Sequence, residues 1–225
     1  QQLRDFRRYA IVAITGVAAV LSPADPFSMI AMALPTMLLY EAGSAWAQWQ
    51  YPTHLARSAH ASLRETWFAA ISQTRGTEIL AVQTLRNSLM SATMTASTAA
   101  LGLVATLTLA VPSLHDGGTA LSPRLALELV LVALLFASLV ASAMAVRYFN
   151  HTGFICGMPT DSPAREQWAA AGTAYVRRAG LLYSWGLRQL VLVAPIMAAL
   201  LHPLAGPPAA LAVIAVLIAF DRMVS

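Results

Sequence analysis

The chain has no lysine: all 14 residues counted as Lys plus Arg are arginine. Cysteine occurs once, at Cys156, which excludes an internal disulfide and a cysteine-built zinc site. Charge of either sign is scarce. Asp, Glu, Lys and Arg make up 11% of the residues, against about 25% in soluble domains. With 58% hydrophobic residues, a soluble globular domain is excluded and an integral membrane protein with several spans is implied. No glycine-rich phosphate loop follows a strand pattern. His54 and His60 stand six apart, off helical register for shared metal chelation, and Cys156 has no base with an orienting partner beside it. No enzyme, cofactor or metal site is expected. The arginines are dispersed at the ends of apolar runs rather than gathered in a patch, so nucleic acid is not an expected partner.

What is present is a succession of apolar runs. The first two flank a polar turn, Ser22 to Pro26, with one run from Tyr9 to Leu21 and the next from Phe27 to Trp46. Two prolines around Asp25 stop a helix, so the pair reads as a transmembrane hairpin. Arg4, Arg7 and Arg8 lie upstream and no charge follows until Asp25, which puts the turn outside and both hairpin ends in the cytoplasm. Even from Phe6 to Leu21 the first span reaches only about 24 Å at ~1.5 Å per residue, short of a core of about 30 Å. Pro35 should kink the second span, and Trp46, Trp49 and Tyr51 follow as an interfacial aromatic belt. The chain begins at Gln1 rather than Met and shows no signal peptide, as expected of a fragment whose upstream part is missing.

From Pro52 to Asn87 charged residues break up the apolar ones, which reads as amphipathic helices on the cytoplasmic surface, broken near Gly76. Ser88 to Val111 is a third span rich in small residues that allow close helix packing. Pro112 to Pro123 is an outward loop, and Leu125 to Val146 a fourth span. A second cytoplasmic segment, Thr152 to Tyr183, contains a turn at Pro159 to Pro163. After it Trp168, Tyr175 and Leu182 recur every seven residues on one helical face, with Arg165, Arg177 and Arg178 on other faces. This stripe is expected to pack against the first cytoplasmic segment near Trp67. Trp185 to Leu201 and Ala209 to Phe220 form a closing hairpin around His202-Pro203 and Gly206-Pro207-Pro208.

The expected fold is therefore an all-α polytopic integral membrane bundle of about six transmembrane helices with two cytoplasmic amphipathic segments. The expected organisation is a terminal hairpin over 1–50, a cytoplasmic amphipathic segment over 51–87, and a four-span module over 88–225 whose cytoplasmic segment covers 147–184. In this arrangement Arg124 alone among the 14 arginines falls outside, and both chain ends lie in the cytoplasm.

The residues Arg8-Tyr9-Ala10-Ile11-Val12, Leu21-Ser22-Pro23-x-Asp25-Pro26-Phe27-Ser28-Met29, Ala33-Leu34-Pro35 and Leu38-Leu39-Tyr40-Glu41 resemble the last two membrane helices of TatC, the multi-spanning core of the twin-arginine protein translocase. The resemblance covers roughly the first fifty residues; the signal-peptide-binding N-terminal part of TatC is absent. It implies a bacterial cytoplasmic membrane location, single-span translocase subunits and exported proteins as partners beside the lipid bilayer, and a docking role for Asp25, Ser28 and Glu41. The polar residue that completes the Asp cluster four positions on is Met29 here. From the residues alone Asp25 is also an N-cap for the helix at Phe27, and Glu41 sits at the inner interface within reach of water. Glu128, one turn after Arg124, reads as half of a local ion pair at the outer surface.

A second set of motifs follows: Arg64-x-x-Trp67, Ile79-x-x-x-Gln83-x-x-x-Asn87, Ala96-Ser97-Thr98, Arg147-x-Phe149-Asn150, and Gly186-Leu187-Arg188 before Leu201-His202-Pro203. In this order they resemble the bacterial membrane family called domain of unknown function 599, with Ala81 where an acidic residue is expected. The chain thus reads as a fusion. Arg64, Trp67, Gln83, Arg86, Asn87, Arg147, Asn150 and His151 sit at inner ends of spans or beside them and are the candidates for a cytoplasmic polar cluster. The bland alternative is anchoring, with Arg snorkelling and Asn capping helix ends. The leading function is a TatC-like translocase component fused to a module of unknown activity. The alternatives are a small-solute transporter or channel, or a membrane scaffold, built by the second module.

Overall fold

The computed structural model describes residues 56–116 and 122–222. Every regular element among them is helical: α1 (Ala56–Gln73), α2 (Glu78–Asp116), α3 (Pro123–Gly157), α4 (Pro163–Val191), α5 (Val193–Leu201), a single 3-10 turn (Pro203–Ala205) and α6 (Gly206–Arg222). Three stretches are long and apolar enough to cross a membrane, Glu78–Val111, Pro123–Gly157 and Pro163–Leu201, and Pro203–Leu217 is a shorter apolar helix. The two N-terminal spans expected from the sequence lie outside the described residues.

The helices run longer than the spans. α2 is 39 residues and α3 is 35, about 58 and 52 Å at ~1.5 Å per residue, against a hydrocarbon core of about 30 Å. Helix therefore continues without a break through residues 87/88 and 146/147, because no glycine or proline stands at either point to stop it. It also continues past Pro112 to Asp116, at the loss of one backbone donor. Where a break was expected, at Gly76, one occurs. Gly76 takes φ +80°, a left-handed conformation that ends a helix without a Cβ penalty. Thr77 Oγ1 donates to the carbonyls of Thr74 (2.7 Å) and Ile71 (3.2 Å), closing the end of α1.

The chain divides into two compact units. One comprises residues 56–103 and 135–190: α1, the first part of α2, the second part of α3 and nearly all of α4. Its core holds Phe68, Ile71, Ala81, Leu85, Ala145, Phe149, Cys156, Val176 and Ala179, with Trp67, Tyr175 and Leu182 packed against it. Trp67 and the Tyr175–Leu182 stripe thus meet on one core, as the sequence led us to expect. Trp168 does not join them and is 45% exposed.

The reason lies in what α4 turns inward. Its buried positions are Arg165, Gly172, Val176, Ala179, Gly180 and Gly186, mostly small residues. A Cβ on Gly172 would overlap the Phe68 ring, one on Gly180 the Arg64 guanidinium, and one on Gly186 the Ser142 hydroxyl. Neighbouring helices come too close for a tryptophan on that face. Ser138 Oγ donates to the Gly186 carbonyl at 2.8 Å across this contact.

The other unit has as its described parts 104–116, 122–134 and 191–222. α5 follows α4 after a break at Leu192, because Pro195 has no N–H for the carbonyl four residues back. The His202-Pro203 turn forms as the sequence led us to expect: His202 is extended, its N–H caps α5 on the Ala198 carbonyl, and its Nδ1 accepts from Leu204 N. α6 then packs back on α5. The Arg124–Glu128 pair also forms, at 3.1 Å, with Glu128 only 2% exposed and its Oε2 without a hydrogen-bond partner.

Candidate functional site

Three helix ends converge in the first unit, and the chemistry gathers there. α3 ends at Gly157, and a five-residue connection leads to Pro163, the first residue of α4. Ser162 caps α4: its Oγ accepts from Arg165 N at 3.3 Å, and Pro163 fills the position where a missing N–H is harmless. The Ser162 hydroxyl donates to Pro159 O at 2.8 Å, which tightens the turn.

Arg165, one turn into α4, folds back beneath this loop. Its Nη1 donates to Cys156 O (2.7 Å) and Met158 O (2.8 Å), and its Nη2 to Ile71 O (3.3 Å). These carbonyls belong to the closing turns of α3 and α1, where the helix dipole favours a cation. The side chain is 2% exposed, and among the described residues it makes no ion pair. Its Nε is buried and has no hydrogen-bond partner. Of the three arginines expected off the Trp168–Tyr175–Leu182 face, Arg177 and Arg178 are exposed and Arg165 is interior, drawn in by the carbonyls of Cys156, Met158 and Ile71.

Two further ties hold the loops together. Arg75 Nε meets Asp161 Oδ2 at 2.6 Å, with side chains 80% and 60% exposed, so the pair contributes little stability. Glu78 Oε1 accepts from Thr160 Oγ1 at 2.5 Å and from Thr160 N at 3.3 Å. Between α1 and the start of α4 lies a cavity of about 510 Å³, with Phe68, Ser72, Thr160, Asp161, Arg165 and Glu166 on its wall. Ser72 Oγ is buried and unpartnered like Arg165 Nε.

The residues singled out from the sequence are distributed as follows. Arg64 is half-buried, its guanidinium lies over Gly180, and burial lowers its pKa from the ordinary arginine value. Trp67 packs on the core. Gln83, Arg86 and Asn87 on α2 and Arg147, Asn150 and His151 on α3 are all exposed. His151 lies 5.9 Å from Tyr175, ring centre to ring centre, and Tyr148 lies 5.6 Å from the same ring. Asp25, Ser28 and Glu41 lie outside the described residues.

Sequence reasoning missed Ser72, Glu78, Thr160, Asp161 and the interior role of Arg165. The Ser162-Pro163-x-Arg165 run was the available signal: an N-cap followed by an arginine close enough to reach back under its own loop. Among the described residues no group of three His, Cys, Asp or Glu side chains is placed to hold a metal ion.

A family described as "Protein of unknown function, DUF599" matches residues 28–225, which includes every helix described above. The chain belongs to the DUF599 family. Residues 1–35 match a second family, "Sec-independent protein translocase protein (TatC)". Within the curated proteins, the Sec-independent protein translocase protein TatC of Halothiobacillus neapolitanus is 42% identical over 65 residues, which is 29% of this chain and 18% of that protein. The chain thus spans under a fifth of the length of the curated relative it matches. No solved structure matches it. This DUF599 protein is a fusion of a TatC-like N-terminal segment with the DUF599 module, and both the Arg165 junction and its cavity fall in the module.

Proposed function

We propose that this chain is a component of the Sec-independent, twin-arginine protein translocase in the bacterial cytoplasmic membrane. In this reading the TatC-like hairpin, with Asp25, Ser28 and Glu41, docks single-span translocase subunits or exported proteins. The DUF599 module supports it from the cytoplasmic side. The observation that carries the reading is the 42% identity to TatC over 65 residues, longer than chance periodicity of apolar residues would give. The exposed polar residues of α2 and α3, Gln83, Arg86, Asn87, Arg147, Asn150 and His151, then supply a cytoplasmic rim for partners, with both chain ends on the same side.

The hydroxyls of α2 speak against a transporter reading. Thr84, Ser88, Ser91, Thr93, Thr95 and Thr98 each donate to the carbonyl four residues back in their own helix. Their polarity is thereby satisfied inside the helix, as a lipid-facing helix requires, rather than offered to a solute.

Export of a twin-arginine substrate tests the proposal in the full-length protein. Truncation after Gln50 is expected to leave part of the export, whereas Asp25→Ala with Glu41→Ala impairs it. Polar contacts in membranes average about 0.6 kcal/mol and seldom reach ~2 kcal/mol, so the double substitution should reduce export by about tenfold and not to nothing. Normal export in the double variant with complete loss on truncation would move the function to the DUF599 module.

A further inference from the structure

Arg64 takes no part in the Arg165 junction, and the translocase reading gives it no role. We propose that it is the headgroup ligand of a bound anionic glycerophospholipid, holding the lipid phosphate at the edge of the bilayer.

The guanidinium occupies a notch that α4 leaves open at Gly180, where a Cβ would overlap Nε, Cζ and Nη2 of Arg64. Packing there covers Nε, which has no hydrogen-bond partner. Nη1 and Nη2 have no partner either, yet they keep accessible surface. Among the described residues Arg64 makes no ion pair. A half-buried charge loses hydration, and here no partner offsets the loss. An anion at the open edge of the guanidinium supplies that partner, and a phosphate matches the edge with two parallel N–H···O bonds.

The depth of the notch decides which anion. α1 runs antiparallel to α4, with Glu65 on Arg177 at 3.4 Å and Phe68 against Gly172. α4 in turn lies along α3: Tyr175 meets Tyr148 and His151, and Gly186 meets Ser138 and Ser142. Gly180 falls midway between these contacts, level with about Ala145 at ~1.5 Å of rise per residue in both helices. The apolar run of α3 ends at Val146, and Arg147 follows. The notch therefore opens where hydrocarbon gives way to headgroups, the level of the lipid phosphates. Arg147 and Arg178, exposed and without an ion pair among the described residues, stand within about one turn of that depth. Glu65 at this level is already held by Arg177, so a headgroup ammonium finds no free carboxylate there. These surroundings favour a negative headgroup over a zwitterionic one.

The test is native mass spectrometry of the full chain in neutral detergent, titrated with phosphatidylglycerol, with phosphatidylcholine and with inorganic phosphate. One phosphatidylglycerol per chain is expected to be retained more tightly than phosphatidylcholine. Arg64→Gln should weaken it about tenfold, the loss of a hydrogen bond between charged groups. Gly180→Ala keeps every charge and only moves the guanidinium out of its notch, so a similar loss there assigns binding to the notch and not to the number of arginines. Arg178→Gln removes a charge at the same depth outside the notch and should weaken binding less than either. An unchanged thermal midpoint of the lipid-free Gly180→Ala protein shows that the fold is retained. Equal retention of the two lipids overturns the proposal. So does unaltered phosphatidylglycerol affinity in Arg64→Gln and Gly180→Ala, or an equal loss in Arg64→Gln and Arg178→Gln, which marks unspecific attraction. Displacement of the lipid by inorganic phosphate at equal concentration marks a free-anion site and overturns it too. None of these outcomes bears on protein export.

Discussion

Arg165 shows how a single side chain joins three helix ends. An arginine buried without a carboxylate would normally be a large penalty. Here the closing carbonyls of α1 and α3 act as its counter-charge, and it gives them the donors their helices cannot. Replacing it with methionine keeps the bulk and leaves Cys156 O and Met158 O without those bonds, while Ile71 O keeps the Thr77 hydroxyl. Arg165→Met should therefore destabilise the fold by about 2 kcal/mol, from roughly 1 kcal/mol or more per orphaned group. Arg165→Lys should recover only part, because one ammonium lacks the spread of a guanidinium fork. Unfolding by denaturing detergent would show this as a lowered midpoint, and a midpoint unchanged in Arg165→Met would mean the bonds do not hold the junction. Burial of this kind was not legible from the sequence. Periodicity put Arg165 off the Trp168–Tyr175–Leu182 face, and nothing in one chain's pattern announces that two other helices will end beside it.

At the scale of elements, more was legible. Gly76 was read as a break and takes the one positive φ among the described residues. The His202-Pro203 turn and the Arg124–Glu128 pair followed from local chemistry that acts within a few residues. Helix continuity past Asn87 and Val146 was not legible, because a change from apolar to charged composition marks a change of solvent and not of backbone. Helix contacts were half legible: the Tyr175–Leu182 stripe found its core, but the closest approaches are made by glycines, which a hydrophobic pattern does not register. Gly180 against Arg64 is one such case. Gly180→Ala should cost about 1 kcal/mol or less, because what meets the new Cβ is the end of the flexible Arg64 side chain, which moves aside, and alanine favours the helix. In an Arg64→Ala background the same alanine should be nearly neutral, giving a coupling above about 0.5 kcal/mol in a double-mutant cycle. Additive effects would show that the overlap is relieved elsewhere and that the pair is not a contact under constraint.

For the whole molecule the open quantity is sidedness, and the arginines argue it. On α3, Arg124 and Arg147 lie about 35 Å apart along the axis at ~1.5 Å per residue, enough to bracket a bilayer core of about 30 Å. Only one of them can be cytoplasmic. Arg124 is engaged by Glu128 one turn away, whereas Arg147 is exposed beside the exposed Asn150 and His151, and Arg177 and Arg178 on α4 belong to the same compact unit. The positive-inside rule predicts that the arginine-rich side is the cytoplasmic one. A membrane-impermeant thiol reagent checks this directly. Cys156 is 0% exposed, so the parent background should stay unlabelled. Ala24→Cys and Gly117→Cys should react in intact cells. Arg178→Cys, which unlike Arg165 is an exposed position, should react only after permeabilisation. Labelling of Arg178→Cys in intact cells would invert the protein, place the Arg165 junction and its cavity outside, and remove the DUF599 module from the side on which translocase substrates arrive.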